Sequence, residues 1–314
     1  MSKKCAIVLA GGEGKRMKST RPKVLSEVLF TPMIDWVLNA AAESGVEDVV
    51  LVVGHLGEML ESYIADRANI VWQRERLGTG HAVMQALPFL EASDADHVLI
   101  LNGDAPFMDA ETISQSEALH EKEGNAVTVI SARLTDPFGY GRIVRGEDGS
   151  LDSIVEEKDA TAGQRAITEV NSGAMWFNRE DLISSLGKLT TDNAAGEYYL
   201  TDTIGILRAE GKRAGAAMTE NAKVVLGAND RYQLYQLNEM VRKDILKEHM
   251  LNGVGIPCMD GIMIAPGVEI AAGTTILPNT ILRGKTVIGA DCVIGPGVVL
   301  TDAAVPAGTV LPEE

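Results

Sequence analysis

Between residue 5 and about residue 230, short apolar runs alternate with stretches whose apolar residues recur at helical spacing. The apolar runs are rich in β-branched residues, and they include CAIVLA, VEDVVLVVGH, HVLILNGD and AVTVISARL. Runs that are apolar nearly throughout are typical of strands covered by helices on both faces of a sheet. The alternation therefore predicts an α/β fold with a mostly parallel sheet.

Three further segments of this region have distinctive patterns. TPMIDWVLNAAAESG predicts a helix with Thr31 as N-cap, Pro32 at the first helical position and Gly45 at its end. YGRIVRGEDGSLDSIVEEKD predicts a hairpin that turns at residues 147–149. DRYQLYQLNEMVRKDILKEHM predicts a charged helix with one apolar stripe, formed by Leu234, Leu237, Val241 and Ile245.

The last 60 residues carry a repeat with a strict six-residue period. The repeating aliphatic residues are Ile264, Ile270, Ile276, Leu282, Ile288, Ile294 and Leu300. A turn pair such as Pro-Gly follows nearly every one of them. This pattern predicts a hexapeptide β-helix in which each unit is one short strand and a corner. Seven units give little more than two coils and leave strand edges exposed, so we expect the segment to pack against copies of itself.

These patterns divide the chain into three parts: a first domain over residues 1–228, a connecting helix over 229–250 and a partial β-helix over 251–314. We expect a cytoplasmic protein, because no apolar run is long enough to span a membrane and no signal peptide precedes the first strand. The three cysteines are far apart and form no CxxC pair, which argues against a disulfide framework or a zinc site. The net charge of −16 argues against a nucleic-acid partner. It leaves a small anionic substrate possible.

Residues 9–25, LAGGEGKRMKSTRPKVL, concentrate positive charge behind a glycine-rich turn, and the basic residues are Lys15, Arg16, Lys18, Arg21 and Lys23. The segment matches neither the P-loop nor the GxGxxG pattern. Glycines after a strand let backbone N–H groups approach a phosphate, whose oxygens Arg16 and Lys23 can then neutralise. A solvated basic loop is the alternative that these residues leave open.

Asp104 follows the buried strand HVLILN, where open α/β sheets present groups to ligands. One aspartate at such a place can be a turn residue or a cap. Beside a phosphate site it becomes a candidate ligand for Mg²⁺, which takes one or two protein oxygens together with substrate phosphates. None of the five histidines has the spacing of a metal site.

An ordered series of motifs resembles the uridylyltransferase half of the bacterial bifunctional UDP-N-acetylglucosamine pyrophosphorylases. The motifs are LAGGEGKRM, RPKVL, QRERLGTGHAV, NGDAP, FGYGRI, IVEEKDAT, EVNSGA, GEYYLTD and GANDRYQL. The resemblance covers about residues 5–235, and a hexapeptide tail is what this family carries next. It implies a Rossmann-like nucleotide-diphospho-sugar transferase domain followed by a short left-handed parallel β-helix. The implied reaction joins UTP and N-acetylglucosamine 1-phosphate into UDP-N-acetylglucosamine and pyrophosphate for cell-wall precursor synthesis.

The resemblance also implies roles for individual residues. Leu9, Ala10 and Gly12 would cradle the nucleotide, and Gln73, Gly78 and Thr79 would read the uracil. Arg16 and Lys23 would hold the triphosphate, while Asp104 and Asn229 would coordinate Mg²⁺. Gly139, Glu156, Asn171 and Thr201 would contact the sugar phosphate. The sugar phosphate is already a nucleophile, which fits the lack of a candidate histidine base.

The chain departs from the family at two places. Lys15 stands where the family usually has threonine, and the tail is shorter than the family's β-helix and has no histidine after His249. We therefore predict no acetyltransferase activity and expect the tail to form a homotrimer. A pyrophosphorylase for another sugar 1-phosphate or nucleotide, a non-catalytic regulatory subunit of the same fold, and an acyltransferase built on the tail are the alternatives left open.

Overall fold

The computed structural model describes residues 2–312, which cluster into two compact units. Unit 1 contains the chain up to Leu25 together with Met33–Asn229, and unit 2 contains Ser26–Pro32 together with the chain from Asp230 onward. This division differs from the three predicted parts, because a seven-residue hairpin near the N-terminus belongs to the C-terminal unit. Phe30 packs against the core of unit 2, and Leu29 N–H donates to Asn238 Oδ1 at 2.8 Å.

The secondary structure alternates between strands and helices through unit 1 and becomes a series of short strands in unit 2. The strands are β1 (Lys4–Ala10), β2 (Glu27–Val28), β3 (Thr31–Pro32), β4 (Asp48–Val53), β5 (Asn69–Trp72), β6 (His97–Asn102), β7 (Val127–Arg133), β8 (Arg142–Arg145), β9 (Leu151–Val155), β10 (Glu169–Asn178), β11 (Ala214–Thr219), β12 (Met263–Ile264), β13 (Glu269–Ile270), β14 (Thr275–Ile276), β15 (Ile281–Arg283), β16 (Val287–Ile288), β17 (Val293–Ile294), β18 (Val299–Thr301), β19 (Ala304–Val305) and β20 (Val310–Leu311). The α-helices are α1 (Met33–Glu43), α2 (Gly57–Ile64), α3 (Thr79–Met84), α4 (Leu87–Ala92), α5 (Ala110–Glu123), α6 (Ala162–Arg165), α7 (Arg179–Leu186), α8 (Asp202–Ala209) and α9 (Arg231–Leu251). Short 3₁₀ turns form at Lys15–Met17, Lys23–Leu25, Ala65–Arg67 and Ala222–Val225.

The main sheet of unit 1 has the strand order β11-β7-β10-β6-β1-β4-β5, and β8 and β9 extend from β10 as a hairpin. β1 pairs in parallel with both β4 and β6, while β10 runs antiparallel to β6 and β7. The chain builds β4 and β5 on one side of β1 and then crosses to β6 on the other side. Ligands of open α/β sheets bind at such a reversal, beyond the carboxyl ends of the strands.

Helices cover both faces of this sheet, as the apolar strand sequences predict. Ile7 and Ile100 belong to one core cluster, whereas Val8 and Leu99 belong to the cluster on the opposite face. All four side chains are fully buried, so the central strands tolerate polar residues only at their ends. The predicted α/β sheet is confirmed, and the predicted hairpin forms as β8 and β9.

The predicted start of the first helix is wrong. Thr31 and Pro32 form β3, which pairs with β2, and α1 begins at Met33. The turn between β2 and β3 places Leu29 and Phe30 at positive φ, 47° and 68°. Two residues at positive φ make a tight two-residue hairpin, which uses the Thr-Pro pair as a strand rather than as a helix cap.

The tail of unit 2 is a β-helix of three parallel sheets with three strands each, in the orders β12-β15-β18, β13-β16-β19 and β14-β17-β20. The repeat predicted from the sequence ended at Leu300, but two further units follow with Val305 and Leu311 as their aliphatic residues. The period is broken by one residue after Leu300, since Val305 comes five positions later, and this break hides the last units from a strict six-residue search. Buried threonines line the corners, and Thr280 Oγ1 donates to the Leu277 carbonyl at 2.7 Å.

The helix α9 forms as predicted from its apolar stripe, and Leu237 and Val241 are buried. Asp230 caps its first turn by accepting a hydrogen bond from Gln233 N–H at 2.8 Å. Among residues 2–312, no helix combines the length and the apolar character that a membrane-spanning segment needs.

Candidate active site

A cavity of about 290 Å³ opens in unit 1 beyond the carboxyl ends of β1, β5 and β6. Its lining comes from the glycine-rich segment after β1, the segment after β5 and the turn after β6. The lining residues are Leu9, Ala10, Gly11, Gly12, Lys23, Val24, Gln73, Arg76, Gly78, Thr79, Ala82, Asn102, Asp104 and Glu197. The cavity therefore lies at the reversal of strand order, where the topology predicts a ligand site.

The structure brings most of the residues expected at the nucleotide into this one cavity. Eight of the site residues named from the sequence line it: Leu9, Ala10, Gly12, Lys23, Gln73, Gly78, Thr79 and Asp104. The remaining six are not among its lining residues: Arg16, Gly139, Glu156, Asn171, Thr201 and Asn229. Two of these six are tied to lining residues: Asn229 accepts a hydrogen bond from Lys23, and Asn171 reaches Asn102 through Gly173. The roles assigned to these residues stay predictions.

The glycine-rich segment packs closely against neighbouring backbone. A Cβ on Gly54, at the end of β4, would lie 2.7 Å from the Gly11 carbonyl oxygen. Gly14 adopts φ +60°, and a Cβ there would lie 3.1 Å from the Cβ of Lys23. The segment thus folds back over the stem of Lys23, and a side chain on Gly54 would push it out of place.

One wall of the cavity is built around Gln73 and Gly78. Gln73 is buried, and its Nε2 donates to the Gly78 carbonyl at 3.0 Å and lies 3.2 Å from His81 Nδ1. Gly78 has φ 109° and ψ 176°, a conformation essentially restricted to glycine. A Cβ there would lie 2.5 Å from the Tyr198 carbonyl oxygen. Because the same carbonyl accepts from Gly80 N–H at 2.8 Å, the segments around residues 78–80 and 198 hold each other in place.

Lys23 lies between the two predicted metal ligands. Its ammonium donates to Asn229 Oδ1 at 3.0 Å and forms an ion pair with Asp104. The Asp104 carboxylate and the Asn229 carboxamide oxygen therefore both contact the same ammonium group. Oxygen donors of this kind fit Mg²⁺, which needs only one or two protein ligands beside water and phosphate oxygens. Among residues 2–312, no group of three or more His, Cys, Asp or Glu side chains is arranged to hold a metal, so a cation here would take its other ligands from elsewhere.

The other cations near the cavity differ in how they are held. Glu13 pairs with Lys15 at 3.1 Å and also with Arg76. Hydrogen bonds from Lys15 and then Arg76 lower the pKa of Glu13. Arg16 is exposed, and its side chain makes no hydrogen bond or ion pair within the described part of the chain. Arg16 is therefore available to an incoming anion without first leaving a partner.

The residues expected at the sugar phosphate form a second group around β8, β10 and α8. Asn171 N–H donates to the Gly141 carbonyl at 2.9 Å, and a Cβ on Gly141 would lie 3.3 Å from Glu156 Oε1. Burial raises the pKa of Glu156, and the nearby charges of Asp159 and Asp202 add to this effect. Asp202 directly follows Thr201, which is buried at the start of α8.

Two contacts complete this group. The Oδ1 of Asn171 accepts from Gly173 N–H at 2.8 Å, and Gly173 in turn lies against Asn102, which lines the cavity. Gly139 N–H donates to Glu157 Oε2 at 3.2 Å, and that carboxylate also accepts from the buried Arg142 at 2.7 Å. These hydrogen bonds hold the loop between β7 and β8 to the end of β9.

Sequence reasoning did not single out several residues that line the cavity. They are Gly11, Val24, Arg76, Ala82, Asn102 and Glu197. All six stand inside motifs that the sequence analysis recognises: Gly11 in LAGGEGKRM, Val24 in RPKVL, Arg76 and Ala82 in QRERLGTGHAV, Asn102 in NGDAP and Glu197 in GEYYLTD. Their place in those motifs was the available signal.

Comparisons with known proteins identify the family and the fold of the chain. The family model described as MobA-like NTP transferase domain matches residues 6–181, and the model described as bacterial transferase hexapeptide (six repeats) matches residues 267–302. The chain is 46% identical over 251 residues to the "Bifunctional protein GlmU" of Acetivibrio thermocellus, covering 80% of this chain and 54% of that protein. It is 41% identical over 254 residues to the protein of the same name from Bacillus subtilis, covering 81% of this chain and 56% of that protein.

The chain spans about half the length of the curated relatives it matches. Among solved structures, a UDP-glucose pyrophosphorylase complexed with UDP-glucose superposes with a TM-score of 0.64 at 18% identity, covering 78% of this chain and all of that one. At this identity the match establishes the fold alone. Together these matches confirm the resemblance inferred from the motifs.

Proposed function

Because the chain belongs to the MobA-like NTP transferase family, we propose that it transfers the uridylyl group of UTP to N-acetylglucosamine 1-phosphate, releasing pyrophosphate and UDP-N-acetylglucosamine. The observation that carries the proposal is that one cavity is lined by a glycine-rich segment, by Gln73 and Gly78, and by the Lys23–Asp104 pair. The relatives named bifunctional GlmU support the same assignment. The product is a precursor for the cell wall.

The wall formed by Gln73 suits a uracil base. The amide nitrogen of Gln73 is already engaged by the Gly78 carbonyl, and its Oε1 faces Gly11 at the floor of the cavity. A carboxamide oxygen accepts a hydrogen bond. Uracil presents an N–H donor at N3, whereas cytosine presents an acceptor there. We therefore expect UTP to be preferred over CTP.

The chemistry requires positioning and charge stabilisation rather than a general base. An oxygen of the sugar phosphate attacks the α-phosphorus of UTP, and the bond from that phosphorus to the bridging oxygen of pyrophosphate breaks. Arg16 and Lys23 stabilise the charge that gathers on the α-phosphate and on the departing pyrophosphate. Asp104 and Asn229 would hold Mg²⁺, which when bound neutralises phosphate charge. The glycines of the glycine-rich segment have no side chains that would keep the two anions apart.

Two further proposals concern the assembly of the tail and acetyltransferase activity. We propose that the tail forms a homotrimer, because the exposed β-branched side chains of Val287, Val299 and Val310 stand on its three faces. Sedimentation that shows only monomer at micromolar concentration would reject the trimer. We also propose that the chain lacks acetyltransferase activity. Turnover of glucosamine 1-phosphate with acetyl-CoA would overturn that expectation.

The central experiment measures pyrophosphate release from UTP and MgCl₂ with a panel of sugar 1-phosphates. We expect release with N-acetylglucosamine 1-phosphate, and we expect both Lys23→Ala and EDTA to abolish it. Lys188→Ala is the matched control, since Lys188 pairs with Glu210 at 2.5 Å and does not line the cavity. Pyrophosphate release with a different sugar 1-phosphate only would keep the reaction and identify another sugar as the substrate. If the folded protein releases no pyrophosphate with any sugar 1-phosphate, a non-catalytic regulatory subunit is favoured.

A further inference from the structure

The ammonium of Lys23 occupies the space between the two oxygens that would hold a divalent cation. It donates to Asn229 Oδ1 at 3.0 Å and pairs with the carboxylate of Asp104. The side chain of Lys23 is only 12% exposed, whereas surface lysines such as Lys15 reach 78%. The side chain thus lies largely out of solvent, and its ammonium makes charge-assisted contacts with these two oxygens.

The surroundings of Lys23 fix its stem in this place. Gly14 packs against the Cβ of Lys23, and the next residue, Val24, is buried in the core of unit 1. On the other side, a Cβ on Gly227 would lie 2.8 Å from the Asp104 carbonyl oxygen, so the segment leading to Asn229 runs directly along Asp104. Close backbone packing therefore keeps the two oxygens and the stem of Lys23 near each other, whereas the partners of a surface ion pair are free to separate.

A divalent cation and this ammonium cannot share the same two oxygens, because two like charges would then lie within a few ångströms of each other. We propose that Lys23 is a placeholder counter-ion that competes with the metal for Asp104 and Asn229 in the nucleotide-free protein. The triphosphate of the nucleotide offers Lys23 a second partner of higher charge. Its arrival releases the two oxygens, so the metal binds with the nucleotide rather than before it. This inference rests on the proposed function for the identity of the metal and the nucleotide.

The test measures binding of Mn²⁺ alone to the nucleotide-free protein, using the electron paramagnetic resonance signal of free Mn²⁺. Lys23→Met keeps a long side chain and removes the charge, and we expect it to bind Mn²⁺ at least about tenfold more tightly than the wild type. Lys23→Arg keeps the charge and should bind as weakly as the wild type. Lys15→Met removes one charge from the same segment and should change the affinity by less than about twofold, since the Lys15 ammonium is exposed to solvent and pairs with Glu13 rather than with Asp104.

A double variant locates the metal. Adding Asp104→Asn to Lys23→Met should abolish the gain in Mn²⁺ affinity. With UTP present, the advantage of Lys23→Met over the wild type should disappear, because Lys23 has then moved to the phosphates. Equal Mn²⁺ affinity of Lys23→Met and the wild type would overturn the proposal, as would a gain that survives Asp104→Asn.

The Mn²⁺ measurement uses no turnover, so it fails separately from the proposed function. Pyrophosphate release together with unchanged Mn²⁺ affinity in Lys23→Met would reject the placeholder role and keep the reaction. A gain in affinity together with a silent pyrophosphate assay would keep the placeholder role and reject the reaction. Folding of each variant is checked by the fluorescence of the tryptophans, all of which lie in unit 1.

Discussion

Replacing Gly78 with alanine tests whether the wall of the cavity depends on backbone that only glycine can adopt. The conformation of Gly78, φ 109° and ψ 176°, costs a side-chain-bearing residue about 1–3 kcal/mol. The new Cβ would also lie 2.5 Å from the Tyr198 carbonyl oxygen and 2.9 Å from the Tyr198 nitrogen. Overpacking against atoms that cannot move aside costs about 1–3 kcal/mol more. The expected loss of stability is therefore about 2–6 kcal/mol.

Gly149→Ala is the matched control, because it separates the backbone cost from the collision. Gly149 has φ +78°, and a Cβ there would have no heavy atom within 4 Å. We expect this variant to lose only about 1 kcal/mol. Urea unfolding followed by tryptophan fluorescence compares the two variants, and it reports on unit 1, since Trp36, Trp72 and Trp176 all belong to it.

If the structure relaxes around the new Cβ, we expect the substitution to weaken UTP binding instead of stability. The collision can be relieved only if the segment around Tyr198 moves away from residues 77–80, to which it is tied by Tyr198 N–H donating to the Leu77 carbonyl at 2.7 Å. That movement would displace Glu197 from the cavity and raise the KM for UTP. Gly78→Ala must therefore lose more stability than Gly149→Ala or show a higher KM. Equal unfolding midpoints together with an unchanged KM would refute the reasoning.

Three further outcomes follow from buried polar groups. Glu157→Ala removes the counter-charge of Arg142, which is only 1% exposed. We therefore expect the urea midpoint of Glu157→Ala to fall further than the midpoint of Asp152→Ala, which breaks a more exposed ion pair. Equal midpoints of the two variants would contradict this. Burial lowers the pKa of His120 to about 4, from an unfolded value near 6.5. Its contribution to the free energy of unfolding, about 3 kcal/mol, is therefore complete above pH 6.5 and is lost as the pH falls toward 4. Urea titrations at pH 7.5 and 5 should therefore show a smaller loss for His120→Gln than for the wild type, and parallel losses would exclude the effect. Thr280→Val removes a buried hydroxyl that donates a hydrogen bond to a corner carbonyl, and we expect it to lower the free energy of unfolding by about 1 kcal/mol. Circular dichroism on heating should then show a lower melting temperature, and an unchanged melting temperature would contradict this.

The parts of the fold that the sequence predicts well depend on local periodicity. Strands such as β1 and β6 are apolar on both faces, and that pattern is set by burial within a few consecutive residues. The hexapeptide strands repeat the same inward aliphatic position, so each unit supports the interpretation of the next. The position of Asp104 beyond β6 follows from the same reasoning, since a strand's end is where its sequence ceases to be apolar.

The hairpin at residues 26–32 shows where local reasoning fails. Thr31 and Pro32 are good helix-start residues, and their own sequence neighbours give no sign of a strand. A two-residue hairpin turn is normally signalled by glycine, asparagine or aspartate, yet here Leu29 and Phe30 occupy it at positive φ. Tertiary contacts hold this conformation: Leu29 is fully buried, and its N–H is bound by Asn238, more than two hundred positions away. A pattern search over neighbouring residues cannot detect such support.

The pairing of charges in the candidate site was equally out of reach. The sequence indicates that Lys23 and Asp104 both face a phosphate site, but it does not indicate that they pair with each other across 81 positions. Glu13 stands inside the basic segment, and its ion pair with Arg76 likewise depends on how β1 and β5 are placed. Residue types predict which groups are present, whereas only the fold determines which of them are already partnered.

These pairings bear on how a protein with a net charge of −16 could bind the two polyanions of the proposed reaction. If the basic segment carried unpaired cations, it would attract the acidic surfaces of neighbouring copies as readily as a substrate. In the structure Lys15 is held by Glu13 and Lys23 by Asp104, while Arg16 projects into solvent. An anion must therefore provide better partners than the carboxylates it displaces, and a triphosphate does so because it offers several oxygens at once. Where the anion also brings a divalent cation, the carboxylate released by Lys23 gains a new partner in the same step. If the proposed reaction is right, we expect the acidic residues around the cavity to favour a metal-complexed nucleotide over a simple anion.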